Sequence, residues 1–197
     1  MNDTIFRTLA LVFFIIEVGI SVYYRSKAER ASREKISLKD EGLAITLGLR
    51  LGGLCTWLAV FAYLINPAWM AWSRLDLPEW LRWVGVGMGA LADLLAYWVF
   101  SHLGNNVTPT VVTRSTATLV TSGPYRWVRH PLYLTGMVGF IGFALLSENW
   151  FIALASISVF VVMLFRIPKE EARLVDKFGE AYREYMQRTG RFLPKLG

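Results

Sequence analysis

The chain has 197 residues, of which 54% are hydrophobic and 14% aromatic, and it carries a formal net charge of +6. A water-soluble domain of this size lacks the interior volume to bury so much apolar surface, which excludes an ordinary soluble fold. The basic residues sit in two blocks beside apolar runs and form no nucleic-acid module, so nucleic acid is excluded as a partner and membrane topology and anionic lipid explain the charge.

Apolar runs cover roughly 4–24, 43–66, 81–102, 132–147 and 150–166. The first lacks a preceding basic region and a small-residue cleavage site, so it reads as a retained span and not a signal peptide. The first three are about 20 residues long, enough for a helix to cross about 30 Å of hydrocarbon. The last two are shorter and separated only by Ser147-Glu148-Asn149, which predicts a tight helical hairpin, either spanning or re-entrant. The expected fold is an all-α integral membrane protein of about five transmembrane helices. Residues 1–197 form one membrane domain, with three spans in 1–102 and a site-bearing region in 103–197.

Cys55 lies alone inside an apolar run and can form no internal disulfide. Gly85-Val86-Gly87-Met88-Gly89 follows no strand, so phosphate cradling is unavailable to it. With Gly48, Gly52 and Gly53 it is read as allowing close helix packing.

Charge placement sets the orientation. The first connection carries Arg25, Lys27, Arg30, Arg33, Lys35 and Lys39, whereas residues 67–80 carry only Arg74, offset by Asp76 and Glu79. Residues 103–131 add Arg114, Arg126 and Arg129, and the tail from Arg166 holds eight basic residues. The positive-inside rule then predicts an outside N-terminus and a cytoplasmic C-terminus, which five spans satisfy.

The 103–131 connection and the 167–197 tail therefore share the cytoplasmic face. Pro109, Pro124 and Pro131 punctuate the connection, with short extended pieces expected at Val111-Val112 and Leu119-Val120. From Lys169 to Gln187 the spacing of Leu174, Phe178, Tyr182 and Tyr185 predicts an amphipathic helix, either capping a site or lying on headgroups. Glu17, Arg50 and Asp93 are ionisable residues inside three spans at similar depth, which suggests pairing around Arg50.

Only two histidines, His102 and His130, are present, and no zinc spacing exists, so no metal is expected. No G-x-S-x-G elbow supports a hydrolase. The stretch from Gly123 to Tyr133 sets arginines, tyrosines and His130 at the mouth of a membrane helix, where polar residues usually serve a site. Arg166 and Glu170 stand i,i+4 at the same membrane face, on one side of a helix if Pro168 does not break it. Such a set suits a ligand with cationic and anionic parts, and the aromatic faces suit a cation.

The motifs Leu103-Gly104-Asn105-Asn106, Leu119-Val120-Thr121-Ser122-Gly123-Pro124-Tyr125, Arg129-His130-Pro131-Leu132-Tyr133, Arg166-x-Pro-Lys-Glu-Glu, Phe178-Gly179-x-x-Tyr182-x-x-Tyr185 and Thr189-Gly190-Arg191-Phe192-x-Pro194 occur in that order. Over about residues 100–197 the chain resembles the isoprenylcysteine carboxyl methyltransferase family, most of all its small prokaryotic members with five spans. The resemblance implies a prokaryotic cytoplasmic membrane, S-adenosylmethionine as methyl donor in a cytoplasm-facing pocket that is not a Rossmann fold, and a lipidated or apolar carboxylate as acceptor. It implies donor contacts at Ala117, Thr118, Leu119, Val120, Tyr125, His130, Pro131, Leu132, Tyr133 and Glu170. Arg166 matches the arginine beside the acceptor and is the expected catalytic residue. The family often has histidine where this chain has Ala117, which leaves only a backbone contact there.

A carboxylate acceptor is already anionic at neutral pH and needs in-line placement, not a base. The alternative is N-methylation of an aminophospholipid, which would need a base such as His130 or Glu171. A membrane NADPH-dependent reductase and a non-enzymatic scaffold are further alternatives.

Overall fold

The computed structural model describes residues 2–32, 43–107 and 117–195. They form six α-helices: α1 (Asn2–Ser32), α2 (Leu43–Ile65), α3 (Glu79–Leu103), α4 (Pro131–Ser147), α5 (Trp150–Phe178) and α6 (Glu180–Arg188). Short 3-10 turns occupy Pro67–Ser73, Gly104–Asn106 and Gly123–Arg126. No strand occurs among the described residues. The extended piece expected at Leu119-Val120 is therefore irregular backbone, and Val111-Val112 lies outside the described residues.

Four helices, α1, α2, α3 and α5, are long and apolar enough to cross a membrane. The fifth, α4, has 17 residues and is about 26 Å long at 1.5 Å per residue. It nevertheless reaches as far as its neighbours, because Glu148 at its end meets Arg74 and Arg82. The turn between α4 and α5 thus lies at the same end of the bundle as the starts of α1 and α3. Large apolar side chains point outward along the bundle, among them Leu58, Leu94 and Phe165, as lipid contact requires and water would penalise. Exposed tryptophans mark one end (Trp69, Trp72, Trp80, Trp83), and Tyr23, Tyr97, Trp98 and Trp127 mark the other. Along α3 the two aromatic levels are about 27 Å apart from Trp80 to Trp98 at 1.5 Å per residue, close to a bilayer's apolar thickness. The chain is an integral, multi-pass membrane protein.

Helix ends are set locally. Pro131 starts α4 at a position where its missing N–H costs nothing. Asn149 caps α5 by accepting from the Ile152 N–H at 3.0 Å and donates to Ser73 Oγ at 2.8 Å. Between them Glu148 takes a left-handed conformation (φ 53°), which lets its N–H reach the Ala144 and Leu145 carbonyls and turns the chain in two residues. Tight packing follows from small residues, as expected. A Cβ on Gly85 would lie 2.6 Å from the Gly142 carbonyl oxygen, so α3 and α4 touch backbone to backbone. Gly48 and Gly52 sit against Val162 and Val159, and Gly89 against Phe13. Gly53 and Gly87 face open space and serve no contact.

The end carrying the N-terminus of α1 is closed by a clasp. Arg82 is buried and donates to Asp3 Oδ1 at 2.6 Å and to the Leu146 carbonyl at 3.1 Å. Glu148, also buried, accepts from Arg74 at 2.9 Å and lies 3.5 Å from Arg82. Arg7 donates to the Leu64 and Ile65 carbonyls, which satisfies the otherwise orphaned C-terminus of α2.

Two expectations are corrected. Arg50 does not pair with Glu17 and Asp93: it lies exposed on α2, and the two carboxyls contact each other instead. The helix expected from Lys169 is no separate element either. Proline costs α5 one backbone bond at Pro168 but does not end it, and the helix runs on to Phe178. The break comes at Gly179, whose φ of +58° favours glycine, and α6 follows.

Candidate functional site

A cavity of about 610 Å³ runs down the inside of the bundle. Leu75, Leu77 and Asn149 line one end, at the clasp, and Tyr182 and Tyr185 of α6 line the other. Between them its wall is mostly apolar, with Met137, Phe140, Ile157 and Phe160 on α4 and α5. Charge gathers at the α6 end, where Arg25, Arg129, Arg166 and Glu170 all reach it. The shape suits a ligand with an apolar tail and a polar, charged head.

The unbroken α5 puts Arg166 and Glu170 on one face, and both line the cavity. Arg166 is buried. The Glu170 carboxylate accepts from the Tyr133 hydroxyl at 2.5 Å, which ties α5 to the first turn of α4. The His130 ring stacks on that of Tyr133 at 5.4 Å and 22° and also lines the cavity.

One carboxylate organises this end. Glu171 is buried and accepts from Arg129 Nε at 2.9 Å and from Arg191 at 2.8 Å, and His130 Nε2 lies 3.3 Å away. Arg129 also donates to the carbonyls of Met186 and Thr189. The backbone N–H groups of Arg129 and His130 donate to the Gly190 and Arg191 carbonyls at 2.9 and 3.1 Å. The C-terminal segment is thereby laid alongside residues 128–130, and the turn that permits it needs Gly190, where a Cβ would lie 1.8 Å from the Leu193 oxygen. Tyr185 closes the arrangement by donating to the Tyr125 carbonyl at 2.6 Å. Burial pushes the phenols of Tyr125 and Tyr182 up, and that of Tyr185 up to about 12. Beyond burial, the Glu170 charge pushes Tyr125 further. All three therefore stay protonated donors at neutral pH.

Of the residues expected at a donor site, Ala117, Thr118, Leu119, Val120, Tyr125, His130, Leu132, Tyr133 and Glu170 line this one cavity, together with Arg166. Pro131 does not line it and serves as the buried first residue of α4. Sequence reasoning missed three contributors. Asn106 holds the 117–120 segment through its Oδ1, which accepts from the Thr118 N–H at 2.9 Å; the Leu-Gly-Asn-Asn motif was its signal. Arg25, counted as a topology charge, lines the cavity, and its charge acts on that of Arg166. Glu171, weighed as a base, is instead the clamp's centre. No group of metal-ligating side chains occurs among the described residues.

Comparisons with known proteins agree with this picture. Residues 85–176 match the family model for isoprenylcysteine carboxyl methyltransferases. The chain is 34% identical over 144 residues to the cobalt-zinc-cadmium resistance protein CzcN of Cupriavidus metallidurans, covering 71% of this chain and 62% of that protein. It is 32% identical over 126 residues to human protein-S-isoprenylcysteine O-methyltransferase, covering 62% of this chain and 44% of that enzyme. The chain thus spans about half the length of the curated relatives it matches. A solved structure of the eukaryotic intramembrane Ras methyltransferase shares the fold at a TM-score of 0.59 and 22% identity, over 95% of this chain and 68% of that one. The motifs that converge on the cavity lie largely within the matched segment, and fold and sequence together support the isoprenylcysteine carboxyl methyltransferase family for this chain.

Proposed function

We propose that the protein is an S-adenosylmethionine-dependent membrane methyltransferase that methylates a carboxylate on a lipidated or apolar acceptor. The observation that carries this reading is the cavity itself, which joins a charged end holding Arg166 and Glu170 to an apolar channel within the bundle. In this reading the charged end faces the cytoplasm and the N-terminus lies outside, in a prokaryotic cytoplasmic membrane.

The residues at the charged end fit the donor. A sulfonium and an ammonium are cationic, and the Glu170 carboxylate with the faces of Tyr125, Tyr133 and His130 offers charge and ring surfaces to them. Ala117 to Val120 offer backbone groups to the donor's polar parts, and Leu132 offers apolar surface. When bound, the donor supplies an electrophilic methyl group. Arg166 holds the acceptor carboxylate by paired hydrogen bonds, and the apolar walls strip it of water. No base is required for that acceptor. An aminophospholipid would need one, and Glu171, a candidate for the task, is occupied by Arg129, Arg191 and His130. That observation favours the carboxylate.

Calorimetry with S-adenosylmethionine in detergent tests the site. His130→Ala and Glu170→Ala should each weaken binding by about tenfold, the loss of one charge-assisted or stacking contact. Unchanged affinity in both variants overturns the assignment. A methyl product released by mild base identifies an ester, and a base-stable product an amine.

A further inference from the structure

A second cavity, of about 380 Å³, lies between α1, α2, α3 and α4. Its walls are built from Phe13, Phe14, Val60, Phe140 and Phe143, with Gly85, Gly89 and Gly139 leaving room between them. Four polar side chains also line it: Glu17, Ser21, Asp93 and Thr135. Two of these are accounted for. Thr135 donates to the Pro131 carbonyl at 2.9 Å, and Ser21 accepts from Arg25 at 3.0 Å.

Glu17 and Asp93 are different. Their carboxyls face each other, yet Glu17 Oε2 and Asp93 Oδ2 are buried and meet no hydrogen-bond partner among the described residues. Asp93 is only 9% exposed. A buried acceptor left unmatched has lost its hydrogen bonds to water, and nothing in an apolar wall replaces them. Ionisable groups in a bilayer interior usually mark a ligand path. Glu17 also lines the larger cavity, so the pair stands where the two spaces meet. It precedes Arg25 by eight residues on α1, which places it about 12 Å further into the membrane at 1.5 Å per residue.

We propose that Glu17 and Asp93 form a binding site for an O–H or N–H donor carried partway along the apolar chain of a membrane-soluble amphiphile, with an acidic head beside Arg25. The unmatched oxygens accept from that donor, and the second cavity holds the chain beyond it. The spacing corresponds to about ten methylenes between head and donor, from the helical rise. The head end shares the larger cavity with Arg166, and the test is a binding measurement that needs no methyl transfer.

The probes are stearic acid and stearic acid hydroxylated at mid-chain, titrated by calorimetry into the full chain in detergent. The hydroxylated acid should bind about tenfold tighter, the equivalent of one satisfied buried acceptor. Asp93→Leu should abolish that preference and leave stearic acid binding in place. Equal affinity of the wild-type protein for both acids, or a preference that survives Asp93→Leu, overturns the proposal. Should Asp93→Leu fail to fold, the wild-type protein alone decides: moving the hydroxyl next to the head or to the chain's end must remove the preference. If moving it changes nothing, the site is not there.

Discussion

Each end of the bundle buries a glutamate between two arginines, and the two ends use that arrangement differently. At the clasp, Glu148 joins Arg74 and Arg82 where α1, α3, α4 and α5 terminate, and Arg82 goes on to Asp3 and a helix carbonyl. The charges there meet each other and the ends of helices. At the site, Glu171 joins Arg129 and Arg191, and the same pattern pins a loop and the C-terminal segment against α5. The next residue, Glu170, faces the cavity. Buried ion pairs contribute little net stability when complete but are costly to break. One pattern therefore serves closure at one end and positioning at the other.

The sharpest way to break this comparison is Glu171→Ala. It leaves Arg129 buried without its carboxylate, which should cost about 3–5 kcal/mol and abolish donor binding together. Thermal unfolding and calorimetry on the same detergent sample check both. If stability falls while donor affinity holds, the clamp does not position the site. Glu148→Ala should destabilise by about 2–4 kcal/mol, a little less because Arg82 keeps Asp3 and the Leu146 carbonyl. Donor affinity should not move. A parallel loss of affinity would mean that the two ends act as one unit.

The smallest effect concerns alkaline pH. The folded pKa of Tyr185 lies above the unfolded value near 10, up to about 12, so the folded state holds its proton more tightly. That stabilising contribution is complete below pH 10 and is lost as pH rises toward 12. Tyr185→Phe should flatten this decline in a Tm-against-pH series. An unchanged slope would assign the decline to other groups.

Much of this was legible in the sequence. The four long spans follow from apolar length, and the candidate site follows from motifs that lie at helix mouths at one end of the bundle. Arg166 and Glu170 could be paired because i,i+4 spacing is a local rule. Contacts made far along the chain left no such signal. Arg129 and Glu171 are 42 residues apart, and nothing local says that this glutamate is a strut and not a base. Arg50 misled for a related reason: equal depth in two helices says nothing about which face each residue takes. Whether Pro168 breaks the helix is open in the sequence because proline usually ends helices, but a long helix packed along its length absorbs one lost bond.

The continuity of α5 has a consequence for how this chain can vary. The helix begins at the Asn149 anchor in the clasp and carries Arg166, Glu170 and Glu171 on the same rod. A rod fixes angular phase as well as distance. One inserted residue in its middle would swing everything beyond it by about 100°, the turn of one step at 3.6 residues per turn, and lift the next three or four side chains off their partners. Four inserted residues would nearly restore the phase but raise the charged groups by about 6 Å. Changes of length are therefore tolerable in the connections between helices and not within α5, which acts as the gauge that sets one end of the molecule against the other.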